Sequence, residues 1–353
     1  MLRVALCLLF AASLPAEKVE VRGTYSHPKP FWDRGARLDD YAINAVFVHS
    51  GSIKPDLLAR AASEGARVYA EFATLNGKGY VEKHPEAWPI NERGERAPAA
   101  TWFLGACPTE PGFRAFRLKQ LADLLDAHPV SGVWMDYFHW HAQFEDPNPV
   151  LPETCFNPTC LEAFQKAAGI RLPDGAAAEK ARFILQRHER AWRDWRVSVL
   201  VEWAREFRSL LKAKRPQALL GLYHCPWTED EYGGALRRAL GLDLKRLEGI
   251  VDVYSPMVYH GRMGRSPAWV GSYVQWLSRH LSPQTRIWPI VQAHNDPGVI
   301  SAAEFEQVLR GGVSGRASGV MMFTIRSVAE DAQKMETLRR LYRQWAAEAE
   351  QPR

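Results

Sequence analysis

Asp136, His139, His141 and Glu145 fall within one short stretch, Ser131 to Glu145, which reads SGVWMDYFHWHAQFE. Tyr137, Phe138 and Trp140 stand between them. The apolar run Gly132-Val133-Trp134-Met135 has the character of a buried strand, and it turns polar at Asp136. A strand that ends in a carboxyl group among aromatic faces can deliver a general acid to the rim of a core. An aspartate that merely caps the next helix or turn is the plainer reading, but the aromatic and imidazole side chains exceed what a cap needs. His139-x-His141 beside Asp136 opens a second chemistry, because neutral imidazoles with a carboxylate can hold zinc.

The elements that must position these groups come next. Eight short strand-like runs can be read along the chain: Val19–Ser26, Ala42–His49, Ala66–Ala73, Gly132–Phe138, Ala218–His224, Val251–His260, Arg286–Ala293 and Ser318–Ile325. Helical patterns follow most of them, at Pro55–Glu64, Glu110–Ala127, Ala178–Lys214, Ala268–His280, Ala302–Arg310 and Val328–Glu348. Strands alternating with helices predict parallel βα units, and eight such units predict an α/β fold, a single (β/α)8 TIM barrel. An open doubly wound sheet is disfavoured because no glycine-rich phosphate turn follows the first strand. Extra length is concentrated after strands 3 and 4, in Leu75–Ala106 and His139–Cys160. Both stretches fall on the barrel face where active sites are built, and Trp88 and Trp102 favour packed walls over disorder. Trp192, Trp195, Val199 and Trp203 recur at helical spacing and predict a stripe that faces the core.

Composition bounds the function. The chain has 353 residues and is 46% hydrophobic, enough for one large core or two ordinary ones. A formal charge of +5, without a dense basic run, argues against a nucleic-acid partner. Arg3 followed by the apolar run Val4–Ala12 and small residues near Ser13 and Ala16 predicts an export signal over residues 1–16. The barrel would then occupy 17–345, with a polar, frayed tail at 346–353, and the protein would be secreted or periplasmic. No later segment is long and apolar enough to insert in a membrane. Of the four cysteines past the signal, Cys155 and Cys160 could close a small disulfide loop, or all could remain buried thiols. A structural zinc site is only weakly suggested by the C-x4-C spacing. No cofactor is implied, and no feature specifies an oligomeric state.

In a barrel of this kind the ends of the strands converge. Reading them off gives Tyr25, His27, His49, Glu71, Asp136, His224, Tyr259, His260, Gln292, His294, Thr324 and Arg326. Asp136 is the expected catalytic carboxylate. Cleavage of a glycosidic bond usually needs a second one, and the seventh strand ends in Gln292 rather than an acid. Glu71 is preferred for that role because its apolar surroundings, Tyr69-Ala70-Glu71-Phe72, would raise its pKa. Glu229, Asp230 and Asp296 are the alternatives, or the substrate's own acetamido group could act. Tyr25, His27, Tyr137, His139, His141, His224, Tyr259, His260 and Gln292 are expected to contact substrate.

Four motifs carry a resemblance. They are His84-Pro-Glu-Ala-Trp88 continuing through Asn91-Glu-Arg-Gly94, Cys107-Pro-Thr-Glu-Pro-Gly112, Gly132-Val-Trp-Met-Asp-Tyr-Phe138 and Ser255-Pro-Met-Val-Tyr-His260. The chain resembles the glycoside-hydrolase-like TIM barrels of bacteria, relatives of the hydrolase domain of poly-N-acetylglucosamine deacetylases. The resemblance covers most of residues 19–340. It implies that Asp136 is the catalytic carboxylate, that Tyr259 and His260 line the site, and that Cys155 and Cys160 stand where relatives carry a cysteine-rich motif. The chain departs from the pattern at Ser131, where relatives often have an aspartate, and in the run Tyr137–Trp140, which has no arginine. The expectation is an exported glycoside hydrolase that cleaves O-glycosidic bonds of a polysaccharide or cell-envelope glycan by carboxylate acid/base chemistry. A non-catalytic glycan-binding barrel and a metal-dependent hydrolase using strand-end histidines are the competing readings.

Overall fold

The structure, a computed structural model, describes residues 18–100 and 102–351. The expected export signal, residues 1–16, lies outside the described residues. The strands are β1 (Val21–Tyr25), β2 (Ala45–His49), β3 (Arg67–Ala73), β4 (Gly132–Asp136), β5 (Leu219–His224), β6 (Val253–Val258), β7 (Arg286–Ile287), β8 (Ile290–Gln292) and β9 (Gly319–Phe323). Every pairing between them is parallel. β1 pairs with both β2 and β9, and β5 pairs with both β4 and β6, so the sheet closes into the expected barrel.

β7 and β8 are two halves of one stave. The expected strand Arg286–Ala293 is broken at Trp288-Pro289, where the proline has no N–H to give to the ladder. Two helical expectations also divide. Ala178–Lys214 is two helices, Ala177–Arg187 and Glu189–Lys214, parted at His188, whose φ of −134° leaves the helical range. The C-terminal pattern is Ile325–Ala329 followed by Ala332–Glu350. Asp331 caps the second of these by accepting from the backbone N–H groups of Gln333 and Lys334. That helix runs on to Glu350, so most of the expected frayed tail is ordered secondary structure. The end of the loop after β4 also folds, as helix Pro158–Ala168, capped by Asn157 and closed by Gly169 at φ +64°.

The barrel interior is filled by aromatic rings. Phe47 stacks on Tyr69 at 4.7 Å, and Trp134 stacks on Trp288 at 5.6 Å. Trp134 also meets Phe47 and Tyr69 edge-on at 4.8 and 5.0 Å. Its indole N–H donates to Ser255 Oγ across the barrel at 2.9 Å, which satisfies its one polar atom in a dry interior. Room for the indole comes from β5: a Cβ on Gly221 would lie 2.1 Å from Trp134. This plug forms the floor beneath the site. Outside the sheet, Trp192 and Trp203 are buried as the stripe predicts, with Phe156 stacked on Trp192 at 4.9 Å.

The two long loops pack as walls. In Leu75–Ala106 the residues Leu75, Ala87, Ala97, Phe103 and Leu104 are buried, and the Trp88 indole donates to Ala97 O at 2.9 Å. Gly221→Ala should destabilise the fold by about 1–3 kcal/mol through overpacking against Trp134. A lower midpoint in a urea melt checks this, and an unchanged midpoint would show that the interior has slack.

Candidate active site

Side chains alternate along a strand, so Glu71 and Ala73 on β3, like Trp134 and Asp136 on β4, point into the barrel. The register sets Glu71 opposite Trp134 and Ala73 opposite Asp136. Asp136 therefore stands one inward layer above Glu71 on the neighbouring strand, a diagonal separation of roughly 7–8 Å between backbones. Glu71 is 2% exposed and accepts a hydrogen bond from the Tyr25 hydroxyl at 3.2 Å. Asp136 is partly exposed at the mouth and accepts from the backbone N–H of Tyr137 at 2.8 Å. Tyr137 itself has φ +50°, a left-handed conformation that is uncommon for a bulky residue. Stacking of Tyr137 on Phe103, with ring centres 5.4 Å apart and planes within 7°, holds it there.

The environment raises both carboxyl pKa values. Burial pushes Glu71 up, opposed by His49 and by the Tyr25 hydrogen bond. Asp136 rises well above the usual range, first through burial and then through repulsion from Glu71 and Glu145, against the Tyr137 N–H. A carboxyl group kept protonated near neutral pH is what a general acid requires.

A third carboxyl and a cation complete the site. Glu145 pairs with Arg262 at 2.9 Å, the two side chains being 18% and 13% exposed. Burial raises the Glu145 pKa, and Arg262 opposes the rise. The guanidinium also lies 3.8 Å from Asp296 and sits over the rings of Trp102, Tyr259 and Phe323 at 5.1–5.8 Å. Arg262 follows β6, so this cation reaches the slot from a different turn than Asp136 and Glu145. Asp136, Tyr137, His139 and Glu145 share a narrow slot with Trp102 and Phe103, while Glu71 lies beneath it and is not one of its walls. Its free volume of about 20 Å³ holds a water or two.

The structure brings only some of the expected residues together. Asp136, Tyr137 and His139 line the slot, Glu71 lies beneath it bonded to Tyr25, and Tyr25 and Tyr259 meet Tyr223 and Phe323 through ring contacts at 5.0–6.2 Å. The histidines have other duties. The His139 ring bonds the Trp140 carbonyl at 2.8 Å, and burial lowers its pKa to about 4. His141 accepts from Gly105 N–H at 3.1 Å and bonds Pro98 O at 2.8 Å, clamping one long loop to the other. His27 lies in a separate surface groove with Lys29, Trp32 and Asp56. Alternation along β5 and β6 turns Tyr223 and Tyr259 inward and His224 and His260 outward. His224 packs against Tyr254, and His260 pairs with Glu304 at 2.7 Å. Gln292 is spent on the backbone of Arg262, His294 and Asp296, which fixes the turn that presents Arg262. Of the alternative second acids, Glu229 and Asp296 are largely exposed. Among the described residues no group of histidines converges; the one cluster of metal-ligating type is Cys107, Cys155 and Cys160.

A closed parallel sheet with acids rising from its C-terminal mouth is, by fold, a (β/α)8 barrel. The chain is similar to the glycoside hydrolase domain of PgaB (BpsB) from Bordetella bronchiseptica, with a TM-score of 0.65 and 15% identity over 92% of this chain and 98% of that one. It is similar also to the β-galactosidase of the psychrophilic Marinomonas ef1, with a TM-score of 0.68 and 14% identity, covering 94% of this chain but 60% of that one. A β-galactosidase from Halorubrum lacusprofundi matches at a TM-score of 0.65 and 12% identity, covering 92% of this chain and 58% of that one. No family model and no curated protein sequence matches the chain.

The raised carboxyl groups predict a stability change with a definite sign. An unfolded carboxyl loses its proton near pH 4, whereas folded Asp136 and Glu71 hold theirs to higher pH. Between those limits the folded state binds more protons than the unfolded state, so stability falls as pH rises. Asp136→Asn and Glu71→Gln should therefore each raise Tm at neutral pH, and the gain should vanish below about pH 4. Thermal melts from pH 3 to 8 test this, and equal Tm values at pH 7 would show that neither carboxyl is strained.

Proposed function

We propose that the protein is an exported glycoside hydrolase, with Asp136 as the general acid. The observation that carries this is the stacked pair of inward acids, Asp136 above Glu71, both with raised pKa values and ringed by Tyr25, Tyr137, Tyr223 and Tyr259. In this reading protonated Asp136 gives its proton to the leaving glycosidic oxygen. Glu145 shares the slot and pairs with Arg262, which opposes the rise that burial causes in its pKa; in this reading it is the second carboxylate, activating water or meeting the anomeric carbon. Glu71 is a positioning residue: it lies below the slot and keeps the Asp136 proton in place by repulsion. The Tyr, Trp and Phe faces suit stacking on sugar rings. A sugar ring exceeds the free space, so the wall carrying Trp102, which is 50% exposed, moves aside for substrate. Export rests on Arg3 and the apolar run that follows it, and the substrate is proposed as a polysaccharide or cell-envelope glycan.

The test is turnover on a panel of oligosaccharides that includes β-galactosides and N-acetylglucosamine polymers. Asp136→Asn should lose about 10²–10⁴-fold in kcat with an unchanged circular dichroism spectrum. Glu71→Gln should retain activity but move the alkaline limb of the pH–rate profile to lower pH, because the acid then gives up its proton earlier. Wild-type turnover by Asp136→Asn would end the proposal. Tight glycan binding without cleavage by the wild-type protein would instead identify a binding barrel.

A further inference from the structure

The sulfur atoms of Cys107, Cys155 and Cys160 all lie within 4.8 Å of one another, fully buried, and none of the three residues lines the slot over Asp136. They come from three separate places: Cys107 ends the long loop after β3, Cys155 lies in the loop after β4, and Cys160 is in the first turn of helix Pro158–Ala168. Cys107 and Cys160 approach to 3.1 Å. The Thr109 hydroxyl is 3.2 Å from Cys107 Sγ and 3.0 Å from Cys160 Sγ. Cys155 Sγ accepts a hydrogen bond from the Ile90 N–H at 3.4 Å.

We propose that these three cysteines bind one thiophilic divalent ion, Zn²⁺ in the first instance, with the Thr109 hydroxyl or a water as fourth ligand. Zn–S bonds of about 2.3 Å at tetrahedral angles set sulfurs roughly 3.8 Å apart, inside the range the cluster spans. Charge is provided for. Three thiolates on a divalent ion leave one net negative charge, and the fully buried Arg196, 3.6 Å from Glu153, is also within coulombic reach of Cys155 and Cys160. Arg196 is fixed by bonds to Arg238 O at 2.5 Å and Ala239 O at 2.7 Å and lies over the Trp140 ring at 4.8 Å. The first-turn position of Cys160 adds the favourable end of a helix dipole for a thiolate. A disulfide explains less. It would join two of the sulfurs and strand the third, and Cys225, behind β5, is not in the cluster.

Such an ion would be structural. It would staple the two loops that wall the slot, adding to the backbone bond from Phe156 N–H to Ile90 O at 2.8 Å. The test uses the purified full-length protein, reduced, stripped by a chelator and titrated with Zn²⁺ alone or Co²⁺ alone. One equivalent should bind, Co²⁺ should give thiolate charge-transfer absorption in the near ultraviolet, and Zn²⁺ should raise Tm. Cys155→Ser should lose the stoichiometric uptake and Cys225→Ser should keep it. The wild-type titration decides the matter even if Cys155→Ser does not fold. Absence of uptake by the reduced wild-type protein, uptake that survives in folded Cys155→Ser, or a Cys107–Cys160 disulfide in peptides of the unreduced protein would each overturn the assignment.

Discussion

The placement of one indole inside the barrel governs much of this molecule. Trp134 fills the interior between Phe47, Tyr69 and Trp288, and it is admitted only because β5 offers Gly221 at the same level. Its hydrogen bond to Ser255 ties β4 to β6 across the interior. A dry, filled floor has two consequences. It fixes the register of β4 so that the next inward side chain, Asp136, emerges at the mouth. It also withholds water from Glu71, one layer down, which raises that acid's pKa, and once Glu71 does ionise its charge opposes loss of the Asp136 proton.

The site is thus a graded stack of carboxyl groups. Glu71 at the bottom is the most secluded, Asp136 above it inherits both burial and repulsion, and Glu145 on the wall is compensated by Arg262. Arg262 does more than balance charge. It bridges the turn after β6 to the loop after β4 and lies under Trp102, so three loops meet at one cation.

The walls hold together by an unusual density of cross-links for loops. His141 bonds the loop after β3 at two points, Asn157 donates to the carbonyls of Glu86 and Trp88, and the three cysteines meet beneath. Histidines that suggest substrate or metal contacts when read along the chain are, in space, largely fastenings, and the cysteines join them in this wall.

The barrel was legible in the sequence because strand and helix periodicities are local, and so was Asp136, since an apolar run ending in an acid marks a strand reaching a mouth. Glu71 was legible as a buried acid. The division of labour among the histidines was not: His224 and His260 stand at strand ends like Tyr223 and Tyr259, and one residue of phase decides which of each pair faces in. Arg262 and its pairing with Glu145 had no sequence signal, because the two lie far apart in the chain and meet only when the loops after β4 and β6 fold over the same slot. The same holds for Cys107, which joins Cys155 and Cys160 through space. Local chemistry fixed the elements and the principal acid, while the partners of that acid and of the thiols were chosen by closure of the barrel.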